Sequence, residues 1–242
     1  MKMREILFAM GDLLLPRTCV VCGSMLTLAG RESGAEMCLD CFLSLPRTHI
    51  HRLPTLSAGR IAVQERLGDG PPLRIGGAWF YYGRDSAYAS LIRSAKYNDR
   101  PALARGLGRA YGRELLADIP DLGRHIDVLV PVPMHWRKQM RRGYNQSERI
   151  AMGLSDATGI AVGDNLRAVR AHRTQTRRTA EERRRNICGL FTVEHPEELL
   201  GLNVAVVDDV ITTGTTAAEA TRAVLASGAA TVSLFALGIT QG

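Results

Sequence analysis

Residues 204–216, VAVVDDVITTGTT, set two adjacent carboxylates at the end of an apolar run and follow them with threonines around one glycine. The apolar run reads as a buried strand, and TAAEATRAVLASG after it reads as a helix. Thr212, Thr213, Gly214, Thr215 and Thr216 therefore fall at a helix N-terminus. Free amides and the helix dipole attract an anion there, and Gly214 lets the backbone approach it closely. A phosphate held in that loop would repel Asp208 and Asp209, so the acids need a different partner. Vicinal hydroxyls of a ribose fit, with the 5′-phosphate of the same sugar among the threonines and a divalent cation easing repulsion between the carboxylates and any diphosphate. No Walker-type GK[ST] follows, which excludes that kind of nucleoside triphosphate loop.

All thirteen positions resemble the signature of the type I phosphoribosyltransferases, in which apolar residues, two acids and a T-x-G-x-T loop hold phosphoribosyl pyrophosphate. The resemblance implies that Asp208 and Asp209 take the ribose hydroxyls. It also implies that Thr212 to Thr216, Gly214 included, take the 5′-phosphate, with Mg2+ accompanying the ligand.

A second cluster that could do chemistry is Cys19, Cys22, Cys38 and Cys41, spaced C-x2-C, fifteen residues, C-x2-C. Two residues between ligands let both thiolates of a knuckle face one ion, and the pattern lies within the spacing of a tetrahedral zinc site. Four thiolates close the coordination shell, so Zn2+ is expected in a structural role. A segment of about 30 residues buries too little apolar area to fold alone, and metal binding would order it. A pair of disulfides is the alternative. MKMREILFAMGDLLLP lacks the features of a secretion signal, so the chain is expected in the cytoplasm, where thiols stay reduced. Cys188 stands alone and reads as an inert buried thiol. His49, His51, His125, His135, His172 and His195 show no metal-ligand spacing with a carboxylate or thiol, and surface or core roles are expected for each.

The elements that must position these groups alternate. GAWFYYG, IDVLVPVP, GLNVAVVDD and TVSLFALGI read as strands; SAYASLIRSAKYN, ALARGLGRAYGRELLADI, NQSERIAMGLSDAT and TAAEATRAVLASGA read as helices. Strands apolar on both faces and alternating with helices predict an α/β fold, a parallel sheet flanked by helices, with a small N-terminal zinc ribbon. The expected division is residues 1–50 for an amphipathic helix stopped by Pro16 plus the four-cysteine ribbon, 51–77 for an aperiodic linker rich in Gly and Pro, and 78–242 for the sheet domain. With 45% hydrophobic and 23% charged residues the composition excludes a disordered chain, and no run reaches the roughly 18 apolar residues of a membrane span. Formal net charge is +7, with Lys only at 2, 96 and 138, so forked guanidiniums carry nearly all the positive charge and favour polyanionic partners.

Two basic segments, RRGYNQSERIA (141–151) and RTQTRRTAEERRRNICGLF (173–191), together with SAKYNDR and the four cysteines, resemble the ComF family end to end. That family joins a zinc ribbon to a phosphoribosyltransferase domain and includes competence proteins linked to uptake of transforming DNA. The fold implied is the type I phosphoribosyltransferase fold. Arg137, Arg141 and Arg142 would then face pyrophosphate, for which forked donors are suited, although a solvated basic loop is the other reading. Tyr144, Asn145 and Gln146 would orient the following helix, with Asn145 as its N-cap. Arg173 and Gln175 lie where related transferases have a hood over the reacting centre and are the candidate catalytic residues. Thr179 and Glu182 have capping-box spacing, which predicts a helix aligning Arg183, Arg184 and Arg185. The same arginines would equally serve as a track for nucleic-acid phosphates.

Two functions remain open at this point. One is a phosphoribosyl pyrophosphate-binding protein of DNA uptake that contacts single-stranded DNA and competence or DNA-processing proteins. The other is a metabolic phosphoribosyltransferase that displaces pyrophosphate from the anomeric carbon for an unidentified acceptor.

Overall fold

The structure, a computed structural model, describes residues 17–26, 36–52, 56–97, 100–134, 140, 143–169 and 189–240. In chain order the elements are α1 (Leu39–Leu43), α2 (Leu56–Leu67), β1 (Gly76–Tyr82), α3 (Ala89–Tyr97), α4 (Pro101–Asp118), β2 (Val128–Pro131), α5 (Gln146–Thr158), β3 (Ala161–Val162), β4 (Leu166–Ala168), β5 (Phe191–Val193), β6 (Asn203–Ile211), α6 (Thr215–Ala226) and β7 (Thr231–Thr240). Pro101 opens α4, where its fixed φ suits the first helical turn and its missing N–H costs no hydrogen bond. Asn145 caps α5: its side-chain oxygen accepts from the Ser147 amide at 3.2 Å.

Five strands form one sheet in the order β1-β7-β6-β2-β3, every pair parallel. Val204 to Val207 of β6 are all buried, as a central strand covered on both faces requires. One face packs Ala205, Val207, Phe235 and Trp79 beneath α3, α4 and α5; the other packs Val204, Val206, Leu234 and Ala236 beneath α2 and α6. β2 runs into α5 on the first face, and β6 runs into α6 on the second. The chain thus departs in opposite directions from the carboxyl ends of two neighbouring strands, which opens a crevice between β2 and β6. In open α/β sheets that is where ligands bind. Asp156 of α5 accepts from Arg105 and Arg109 of α4 at 2.7 Å each, and these guanidiniums hold its carboxyl well below the usual carboxylate range, so the two helices are tied on their outer face as well.

The cysteine module shares the sheet's core. Cys19, Leu26, Met37 and Leu45 are buried in one cluster with Trp79, Leu91, Ile92 and Ala95, and the Phe42 ring lies 6.3 Å from that of Trp79. Residues 46–48 lie along the free edge of β1: Tyr81 donates its amide to Pro46 O at 2.8 Å and Thr48 to Trp79 O at 3.0 Å. An otherwise unpaired edge strand is covered in this way. Arg47 bolts the module to α4 through two hydrogen bonds to Glu114, at 2.8 and 3.1 Å, while its guanidinium stacks over Phe42.

Residues 51–77, read from the sequence as an aperiodic linker, contain α2, and β1 begins within them at Gly76. Val63 and Leu67 bury against the second face of the sheet, a tertiary contact that a short segment ending in Gly and Pro does not advertise. The strands β3, β4 and β5 are two or three residues long and carry no periodicity to read. β4 and β5 pair antiparallel. Among the described residues no helix is long and apolar enough to cross a membrane. The expected helices at the N-terminus and after Thr179, and Cys188, lie outside the described residues.

Candidate functional site

The acids lie inside the last turns of pleat of β6, which continues to Ile211, so they project from an ordered strand rather than from a loop. Asp208 is buried and sits in the crevice between β6 and the start of α5. Its Oδ1 accepts from Ser147 Oγ at 3.1 Å and from the Asp209 amide at 2.8 Å. Asp209 Oδ2 pairs at 2.8 Å with Lys96 Nζ of α3, both side chains partly exposed. Neither acid pairs with an arginine among the described residues. Burial, followed by the neighbouring charge of Asp209, pushes the Asp208 carboxyl from its ordinary 3.8 up to about 7, against the lowering effect of Lys96 and Ser147.

That shift has a sign that can be measured. Between about pH 4 and pH 7 the unfolded chain has lost the Asp208 proton while the folded chain keeps it, so folding takes up a proton. Stability therefore falls as pH rises through this window, by up to about 1.4 kcal/mol per pH unit, and levels off above it. Urea unfolding between pH 4.5 and 8 is expected to show this slope in the wild type and a shallower one in Asp208→Asn. Identical profiles would remove the buried acid from the account.

At the end of β6, Thr212 and Thr213 are exposed and Gly214 is buried, with φ +73° at the N-cap of α6. Thr213 and Thr215 share a hydroxyl hydrogen bond of 3.0 Å. The first amides of α6 have no partner within the helix and are available to an anion. A Cβ on Gly214 would fall 1.9 Å from the Arg66 carbonyl oxygen, so the end of α2 is pressed against the threonine loop. Arg66 Nη1 donates to Thr240 Oγ1 at 3.4 Å, which in turn donates to Thr212 O at 3.2 Å. Behind the loop, Glu219 of α6 is buried and accepts from the Gly189 amide at 3.2 Å, and it pairs with Arg222.

Asp208, Asp209 and the residues from Thr212 to Thr216 thus lie on one short stretch of chain that runs from the carboxyl end of β6 into the first turn of α6. Sequence reasoning missed Lys96, Ser147 and Arg66. The first two lie in SAKYNDR and RRGYNQSERIA, which marked the segments without giving those side chains a role. Arg66 lies in the supposed linker and left no signal. Arg137, Arg141, Arg142, Arg173 and Gln175 lie outside the described residues. Around the crevice, Tyr144 Oη donates to Ala95 O and Asn145 Nδ2 donates to Val132 O at 3.0 Å, so the segment before α5 is fixed to both α3 and the end of β2.

The four cysteine sulfurs lie within 4.8 Å of one another, and Cys22 Sγ and Cys38 Sγ are 3.7 Å apart. A tetrahedral zinc ion with bonds of about 2.3 Å places its sulfurs roughly 3.8 Å apart, whereas a disulfide needs about 2.05 Å. All four are free thiols, and the donor set fits zinc. The Cys38 amide donates to Cys19 Sγ at 3.3 Å. Ser24 draws the Cys22 thiol down to about 6, while burial pushes Cys41 upward.

Fold and crevice define an α/β protein with a carboxylate-and-hydroxyl site at the topological switch point of a parallel sheet, joined to a four-cysteine module. No family model matches the chain. It is 33% identical over 207 residues to the DNA utilization protein YhgH of Escherichia coli O157:H7, covering 83% of each chain. It is 36% identical over 149 residues to the YhgH protein of Salmonella typhimurium, covering 61% of this chain and 65% of that one, just under two thirds of the relative's length. It is also 36% identical over 98 residues to competence protein F of Haemophilus influenzae, covering 40% and 43%. A solved structure of the allosteric regulatory enzyme of purine biosynthesis aligns with 55% of this chain and 25% of that one, at 22% identity and a TM-score of 0.37. The chain belongs to the ComF family of competence and DNA utilization proteins.

Proposed function

We propose that the crevice binds phosphoribosyl pyrophosphate with Mg2+ and that the protein works in DNA utilization, contacting single-stranded DNA. The single observation that carries the ligand is the placement of Asp208 and Asp209 beside the Thr212 to Thr216 loop at the switch point between β2 and β6. Carboxylates there accept from ribose hydroxyls, and the loop amides and hydroxyls receive the 5′-phosphate about one sugar away. The names of the relatives support the role in DNA utilization and competence. Basic residues 137–142 and 173–185 would supply guanidiniums to pyrophosphate or to DNA phosphates, and Arg173 and Gln175 remain the candidates for covering the ligand. On this reading residues 1–50 hold a structural zinc through Cys19, Cys22, Cys38 and Cys41, which cross-links a segment too small to fold by itself. Residues 78–242 hold the ligand, and 51–77 joins them through α2 and Arg66.

Isothermal titration with phosphoribosyl pyrophosphate and Mg2+ tests the ligand, and saturable binding that requires the cation is expected. Filter binding of single-stranded DNA at two salt concentrations tests the partner: contacts to phosphates make affinity fall steeply as salt rises. Absence of binding at low salt would reject the DNA contact.

A further inference from the structure

Helix α3 is joined to the cysteine module at its start, and so is the N-cap of α4 that follows it. At its start, Tyr88 Oη donates to the Cys41 carbonyl at 3.1 Å. Just beyond its end, Arg100 pairs at 2.9 Å with Glu36, two residues before Cys38. Between these points Leu91, Ile92 and Ala95 are buried in the core that also contains Cys19 and Met37. Nine residues of helix form a rod about 13 Å long, and at the far end from Tyr88 that rod presents Lys96 to Asp209 at 2.8 Å. The neighbouring Ala95 carbonyl accepts from Tyr144, which leads into the α5 N-cap and so to Ser147 and Asp208.

We infer that the four-cysteine module is a positioning device for the carboxylate crevice: by fixing the Cys41 carbonyl it sets Tyr88, and through α3 it sets Lys96 against Asp209. The inference rests on the reading of that crevice as the phosphoribosyl pyrophosphate site. Lys96 is the positioning residue: its ammonium holds the Asp209 carboxylate at 2.8 Å, and its charge opposes protonation of the neighbouring Asp208. A ribbon used only as a docking surface would not need its ligand-bearing Cys41 carbonyl to accept from the residue that opens a helix reaching the crevice.

Tyr88→Phe tests the coupling in the zinc-loaded full chain, since it removes one hydroxyl and keeps the ring. Zinc content is expected to stay at the wild-type level, while affinity for phosphoribosyl pyrophosphate with Mg2+ weakens about three- to tenfold and the pH midpoint of binding moves upward. Lys96→Met is expected to shift the midpoint the same way and further. In the Lys96→Met background, adding Tyr88→Phe should change almost nothing, because both act through one contact. Unchanged affinity in Tyr88→Phe, or additive effects in the double variant, would overturn the inference. Hydrogen–deuterium exchange reads the same rod without the ligand. Faster exchange in Tyr88→Phe over residues 89–97 and 208–214, with residues 232–239 unchanged, is the expected result, and a change confined to residues 17–48 overturns it. If the wild type binds no phosphoribosyl pyrophosphate, the ligand assignment fails by itself and the exchange comparison still decides the coupling.

Discussion

Replacing Asp208 and Asp209 together by Asn is expected to weaken binding of phosphoribosyl pyrophosphate with Mg2+ by about 10²- to 10⁴-fold while leaving the protein at least as stable as the wild type. The two effects part because they come from different states of the same groups. Each ionised acceptor contributes about 1.5–3 kcal/mol to a hydrogen bond from a ligand hydroxyl, and two of them give about 3–6 kcal/mol. In the free protein the Asp208 carboxylate is a cost: it is buried, it faces Asp209, and its proton affinity is raised accordingly. Asn at 208 keeps an oxygen for Ser147 Oγ and for the residue 209 amide, the two contacts that Asp208 makes, and drops the buried charge. Loss of the Lys96 pair at 209 costs little, because partly exposed ion pairs contribute about 0–1 kcal/mol. Titration calorimetry and urea unfolding on the same samples check both halves. Affinity within twofold of wild type would remove the acids from the site. A large drop in stability would mean that they are structural.

How much of this was legible before the structure depends on the range of the contact involved. The β6–loop–α6 unit was readable from VAVVDDVITTGTT because strand, turn and helix signals there are local and consecutive, and Asn145 was readable as a cap because capping is decided within three residues. The parallel sheet followed from strands without a polar face. Lys96 and Ser147 could be seen only once β6, whose acids lie 61 residues beyond Ser147 and 113 beyond Lys96, had been brought to the same edge, since nothing in SAKYNDR says which acid its lysine meets. Arg66 was hidden for a further reason: α2 is held by burial of Val63 and Leu67 on the sheet rather than by a strong pattern of its own. The cysteine spacing announced a metal site, yet it was silent on the shared core that ties that site to Trp79 and α3.

Gly214→Ala is expected to destabilise the protein by about 2–4 kcal/mol and to abolish detectable phosphate-end binding, whereas Gly201→Ala should cost only the backbone strain of about 1–2 kcal/mol and leave binding intact. Both glycines have nearly the same backbone, φ +73° and +72°, so the strain of a side chain in the left-handed region, about 1–2 kcal/mol, is common to both. They differ in surroundings. A Cβ at 201 meets nothing within 4 Å, while a Cβ at 214 falls 1.9 Å from Arg66 O and 2.5 Å from its carbonyl carbon. Those atoms are backbone at the end of α2 and cannot rotate away, so either α2 shifts or the threonine loop does. If the loop yields, the amides at the start of α6 turn from the crevice and the anion loses its donors. If α2 yields, Val63 and Leu67 leave the sheet and the stability loss is larger. Urea unfolding of the two variants side by side, with titration of phosphoribosyl pyrophosphate, separates strain from close contact. Equal stability in the two would show that α2 does not bear on the loop, and the part assigned to Arg66 would fall with it.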